Sequence, residues 1–310
     1  MASIAVAPPA AAEPLEIHTR SVALNPADRA QSTVGALEYL GGLALTAGDS
    51  RFGGLSGLAI STDGTRMTAV SDRGHWITAR LVHDGDGRLT GLADGAVYPI
   101  RDEKGRPVSR PWHDAEEIAR LADGTLVVSF EGRHRIWAYR EGDVLAPARA
   151  LAVPVALAAA PVNGSLEALT ELADGRLLVL TEKFLKDPQT VRGWLLGDGE
   201  QPLYYAVDNG FWPTSLATLP DGDVLALERR FTIVAGAAVR LRRIDGDAIA
   251  PGATLEGREI ARLELPFTVD NFEGLALRRA ADGAIHLYMI SDDNFRPFQR
   301  TLLLHFRLRE

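Results

Sequence analysis

Carboxylates return through this chain at matched positions. Glu116, Glu167 and Glu273 each open a short apolar run, and Asp72, Glu131, Glu182, Glu228 and Asp292 each close one. Between opener and closer stands an Asp-Gly pair: Asp63-Gly64, Asp123-Gly124, Asp174-Gly175, Asp221-Gly222 and Asp282-Gly283. Ser56 and Thr214 take the opener position in the two units that lack an acid there. Acids gathered at one place cannot all stay ionised and unpaired, so they create a demand for positive charge. A hard cation such as Ca2+, with roughly six to eight oxygen ligands, meets that demand. So do bases in the chain itself, because Arg73, Arg133, Lys183, Arg229, Arg230 and Arg296 follow the closing acids. Acid beside base also suits a metal-plus-phosphate site, in which carboxylates take the metal and Arg or Lys takes the anionic oxygens.

On this pattern Asp72, Glu117, Glu131, Glu182, Glu228 and Asp292 are candidate metal ligands. Glu116, Glu167 and Glu273 are candidate catalytic groups, with Glu167 as the general base. Arg73, Arg133, Lys183 and Arg229 are candidate substrate-binding residues. The same acids also read as salt bridges between neighbouring structural units. The Asp-Gly pairs read as tight turns rather than calcium loops.

These residues need a scaffold that brings distant segments to one place. The unit recurs at intervals of about 50 residues, a period that belongs to propellers and solenoids. Each unit reads as a hairpin: a short strand, an Asp-Gly turn that tolerates positive φ, and an apolar second strand covered on both faces. Two further strands follow, at 191–196 and 201–207 in the third unit and at 238–244 and 259–265 in the fourth. Four strands per unit with no amphipathic helix between them predict an all-β propeller of five four-stranded repeats, five or six blades in all. The last unit lacks a fourth strand, and 36–45 supplies one, so pairing of N- and C-terminal strands is expected to close the ring. In such a blade the opener and the closer share one face of the channel, and the Asp-Gly turn lies at the other.

Composition narrows the function. The 310 residues are 46% hydrophobic and 24% charged, with a formal net charge of −8. That balance argues against nucleic acid, which needs clustered Lys and Arg. No apolar run approaches a membrane span. Without a single Cys, disulfides, thiolate metal sites and a cysteine nucleophile are excluded. The Ala- and Pro-rich stretch 1–14 is expected to be disordered, as the remnant of a signal peptide, with one domain over 15–310.

The motifs Gly53-Gly54-Leu55-Ser56-Gly57-Leu58, Ser71-Asp72-Arg73-Gly74, Asp114-Ala115-Glu116-Glu117-Ile118, Asn163-Gly164-Ser165-Leu166-Glu167-Ala168-Leu169, Asp270-Asn271-Phe272-Glu273-Gly274-Leu275-Ala276 and Ser291-Asp292-Asp293-Asn294-Phe295 carry a resemblance. Together they make the chain similar to the phytase-like family known for an esterase-like activity of phytase. The resemblance implies a β-propeller, export to the periplasm or outside, and a calcium-dependent phosphoesterase. It also implies that Glu116, Glu117, Glu167, Glu273, Asp72 and Asp292 are its repeated acidic positions. The expected protein is thus a monomeric exported hydrolase of a small anionic or ester substrate. A calcium-dependent lactonase or esterase-like propeller and a non-catalytic binding scaffold are the alternatives.

Overall fold

A computed structural model describes residues 13–309 other than 141 and 198. The chain folds as a β-propeller of five sheets, and each begins with an inner strand at the central channel. Blade 1 runs outward through Leu55–Ile60, Arg66–Ser71, His75–His83 and Leu89–Pro99. Blade 2 is Ala115–Arg120, Leu126–Phe130, Arg135–Tyr139 and Arg149–Leu151. Blade 3 is Leu166–Glu171, Leu177–Asp187, Thr190–Gly197 and Gly199–Ala206, with Thr254–Leu255 added in parallel. Blade 4 is Trp212–Thr218, Val224–Thr232, Gly236–Ile244 and Gly257–Leu263. Blade 5 is Phe272–Arg279, Ile285–Ser291, Thr301–Leu308, Leu37–Ala47 and Ile17–Ser21. No sixth sheet is present among the described residues, because 17–21 forms the outer edge of blade 5. Of the stretch expected to be disordered, residues 1–12 lie outside the described residues. Its last two correct the expectation, since Glu13 and Pro14 pair with Val97 and Ala96 on blade 1.

The local causes are legible in the hairpins. All five Asp-Gly glycines have positive φ, from 71° at Gly64 to 96° at Gly222. Each preceding Asp accepts, through Oδ1, an amide two residues on: Thr65, Thr125, Arg176, Asp223 and Ala284, at 2.8 to 3.2 Å. The aspartates therefore cap turns. The second strands are buried between neighbouring blades, as their unbroken apolar character requires. Five apolar clusters fill the five interfaces. Leu58, Ala69, Tyr288 and Leu303 join blade 1 to blade 5, for example, and Ala119, Val127, Leu169 and Val179 join blade 2 to blade 3.

Candidate functional site

Strand pairing explains how the acids are aimed. In every blade the register between inner and second strand shifts at the opener position, so that Ser56, Glu116, Glu167, Thr214 and Glu273 each fall within a β-bulge. A bulged residue leaves the ladder and re-aims its side chain. The bulge thus turns the start of each inner strand toward the channel mouth.

The closers are tied to the same place by a repeated hydrogen bond. The amides of Asp72, Glu131, Glu182 and Asp292 donate to the carbonyls of Gly54, Asp114, Ser165 and Asn271, each two residues before its own opener, at 2.9 to 3.0 Å. In blade 4 the corresponding pair is Trp212 with Arg229, while Glu228 pairs with Pro213 inside the ladder. The expected alignment of Glu228 with the other closers is corrected by one residue. A slip of one flips a side chain to the other face of the sheet. Glu228 is accordingly buried away from the mouth. It accepts from the Tyr205 hydroxyl at 2.8 Å, is bonded by Arg240 Nε, and lies 3.5 Å from Arg242 Nη1. Its oxygens are committed to the blade 3–blade 4 seam, and Arg229 occupies the closer position.

Arg229 is the internal counter-charge of the mouth. Its Nη2 lies 3.2 Å from Glu182 and 3.3 Å from Glu273, and Nη1 donates to Asn271 Oδ1 at 2.7 Å. Asn271 in turn donates to Glu273 at 2.9 Å. Lys183 pairs with Glu182 at 2.5 Å. Two of the four bases expected to bind substrate are therefore already engaged by acids. The other two lie over aromatic rings: Arg73 is 3.2 Å from the Phe295 centroid and Arg133 is 4.7 Å from that of Trp112.

The remaining acids crowd one another. Burial and then the neighbours Glu167, Glu131, Asp114 and Glu273 raise Glu116 well above the carboxylate range. Glu167 is raised likewise, by burial and by Glu182 and Glu131, against the pull of Arg229. Glu273 is raised by burial, with Arg229 opposing. Burial pushes Asp72 up to about 7, with Asp114 adding to it and Arg73 opposing. Glu131 rises to about 7 by burial, although the Ser165 and Gly164 amides favour its charge. Asp292 rises to about 9, through burial and its neighbours Glu273 and Asp72. Two members were not singled out from the sequence. Asp114, raised by burial, stands just before the Glu116 bulge, and Asp293 accepts from the Gly54 and Phe295 amides at 3.0 Å. Both were within the quoted motifs, next to residues that drew attention first.

Glu117 stands elsewhere. It takes the register position that Gly57, Ala168, Ser215 and Gly274 hold in the other blades, at the narrow part of the channel. Its Oε1 accepts from the Ile118 amide at 2.8 Å, and burial raises its carboxyl well above the usual range. The Leu58 and Leu216 amides and the Ser215 hydroxyl lie near it, yet Oε2 has no partner in good hydrogen-bond geometry. It lies in the channel core, below the mouth.

The donor set is all oxygen and short of positive charge, and Asp72 Oδ1 is buried without a partner. In these chemical respects it fits a hard cation. The carboxylates nevertheless stand around the mouth rather than at a single point. Among the described residues no three His, Asp or Glu side chains converge closely enough to hold a metal ion as they stand. A cavity of about 520 Å³ opens at the opposite end of the channel, between Leu58, Ile118, Leu216 and Leu275. Its acid, Glu171, is taken by the Ala122 amide at 2.6 Å. Crowded, raised carboxyls, not volume, therefore mark the acid mouth as the candidate site.

Among solved structures, the catalytic domain of the GH62 α-L-arabinofuranosidase of Coprinopsis cinerea aligns at 12% identity, over 88% of this chain and 97% of that one, with a TM-score of 0.51. That likeness concerns the fold alone. A glucose dehydrogenase aligns more loosely, at 13% identity over 86% and 98% of the two chains with a TM-score of 0.42. Among curated proteins no sequence matches the chain. Residues 50–295, however, match a phytase-like family whose description is esterase-like activity of phytase, and they include every bulged opener and every closing acid; the chain belongs to that family.

Proposed function

We propose that the acid mouth is the active site of a hydrolase that cleaves an ester bond, a phosphoester first of all, with Ca2+ held at its carboxylates. The observation that carries this reading is the crowding of Glu116, Glu167, Glu273, Asp72, Glu131, Glu182 and Asp292 around one mouth, where, among the described residues, Arg229 and Lys183 are in ion pairs with Glu182 and Glu273 alone. Asp72, Glu131, Glu182 and Asp292 would hold the cation, with side-chain rotation to close around it. When bound, the ion would polarise the substrate oxygen and acidify water.

The other tasks fall to the chain. Arg73 and Arg133, lying over rings rather than in ion pairs, hold the anionic oxygens of the substrate. Glu167, outside that ligand set and beside Glu182 and Glu131, takes a proton from the attacking water. Glu116, held well above the carboxylate range by burial and its acidic neighbours, gives a proton to the leaving oxygen. Glu273, bonded by Asn271 and paired with Arg229, holds that guanidinium at the mouth. Export and action as a monomer belong to the same proposal.

The test is turnover of a chromogenic phosphoester beside a lactone and a carboxyl ester. The expected result is phosphoester hydrolysis that EDTA abolishes and Ca2+ restores. Glu167→Ala and Glu273→Ala should each lower it by about 10²-fold or more. Hydrolysis of the lactone alone would reassign the substrate class. Calcium binding with no turnover of any ester would make the protein a scaffold.

A further inference from the structure

Exposed apolar side chains are concentrated on one face. Strand direction fixes the face at which each loop starts and ends, since the second strand of every blade ends at the acid mouth and the third leaves from it. Of the nine large hydrophobic residues exposed among those described, eight stand in loops or at hairpin ends of the acid face: Trp112, Val162, Leu185, Phe231, Ile233, Val234, Leu265 and Phe298. The ninth, Val155, lies toward the other end, where its amide donates to Glu200. The blade 4 hairpin projects past the mouth. Its strands Val224–Thr232 and Gly236–Ile244 continue four residues past Glu228, and the tip leaves Ile233 97% and Val234 99% exposed. Nothing in the packing of the propeller requires these side chains to be apolar.

Cations are interleaved with them. Arg133 lies over Trp112, Lys186 follows Leu185 and lies 3.6 Å from the Tyr204 centroid, and Arg296 lies 5.9 Å from that of Phe298. Of the acids of the same loops, Glu264 lies 3.5 Å from Arg230 and Asp270 3.2 Å from Arg300, while Asp187, beside Lys186, accepts from the Gln189 amide. The outer rim is thus apolar and cationic, whereas the acids lie inside the mouth. Apolar tips with adjacent Lys and Arg match the boundary between headgroups and acyl chains, where the tips enter the apolar layer and the cations meet phosphate. A symmetric contact with a second copy through this face would set the rim cations of one copy against those of the other.

We propose that this face docks on an anionic lipid surface, led by the Phe231–Val234 hairpin tip and Phe298, with Lys186 and Arg296 on the headgroups. The docking does not depend on the hydrolase reading, and its test reads no turnover. The full chain is floated with phosphatidylcholine vesicles with and without phosphatidylglycerol. The expected result is flotation with the anionic vesicles, lowered by about tenfold in Ile233→Ser/Val234→Ser. Lys186→Glu/Arg296→Glu should abolish the preference for phosphatidylglycerol. All four side chains are exposed, so unchanged circular dichroism and melting are expected to show that the variants fold. No flotation of the wild type, or equal flotation of the hairpin variant, would overturn the proposal. So would a dimer in sedimentation equilibrium that the hairpin variant converts to monomer while the wild type ignores vesicles.

Discussion

At the scale of the residue, the difference between Glu228 and Arg229 decides the electrostatics of the mouth. Removing Arg229 strands Glu182 and Glu273, both largely buried, without their shared partner. Arg229→Met is therefore expected to cost about 3–5 kcal/mol in denaturant unfolding. Glu228→Gln has a different signature. It weakens the contacts to Arg240 and Arg242 and lowers stability, but it leaves turnover and calcium affinity within about twofold, because its carboxylate is not at the mouth. Equal loss of calcium affinity in Glu228→Gln and Glu182→Gln would return Glu228 to the site.

At the scale of the element, the inner strands come so close at the channel that two of them need glycine just after the bulge. A Cβ at Gly57 would stand 2.6 Å from the Ile118 amide nitrogen, and one at Gly274 would stand 2.8 Å from Ile290 Cγ2 and 3.0 Å from the Leu58 amide nitrogen. Gly57 meets backbone that cannot rotate aside. Gly57→Ala is expected to destabilise by about 1–3 kcal/mol, read from the urea midpoint at unchanged slope. The bulge itself was not visible in the sequence. It places Glu116, Glu167 and Glu273 at the mouth, yet a strand with an extra residue reads as apolar just as a regular one does. Repetition of the opener was the legible trace of it.

At the scale of the whole molecule, the gathered acids make stability depend on pH in an uncommon direction. Carboxyls held at about 7 in Asp72 and Glu131 and about 9 in Asp292 keep protons that the unfolded chain releases near pH 4. The folded state binds more protons, so its stability is fullest below the unfolded value and falls as pH rises through 7 toward 9. The melting temperature should drop by about 5 °C or more between pH 5 and pH 8 in the presence of EDTA. Calcium, which favours the ionised carboxylates, should raise it more at pH 8 than at pH 5. A melting temperature that rises over this range would mean that the acids are paired by the chain's own bases.

The sequence by itself determined the blade unit, because alternation, buried second strands and Asp-Gly turns are local choices that every repeat makes alike. It also determined that acids recur at opener and closer, and hence where charge accumulates. Tertiary structure alone decided three matters. It set the blade 4 register: Trp212 pairs with Arg229 and Pro213 with Glu228, so the acid that ends the apolar run faces away from the mouth. It placed Glu117 in the channel core, where four other blades supply a small residue. It also gathered Leu185, Ile233 and Phe298, distant in sequence and unremarkable singly, on the same rim. Pairing partners and strand direction fix all three, and neither is a property of any one segment of the chain.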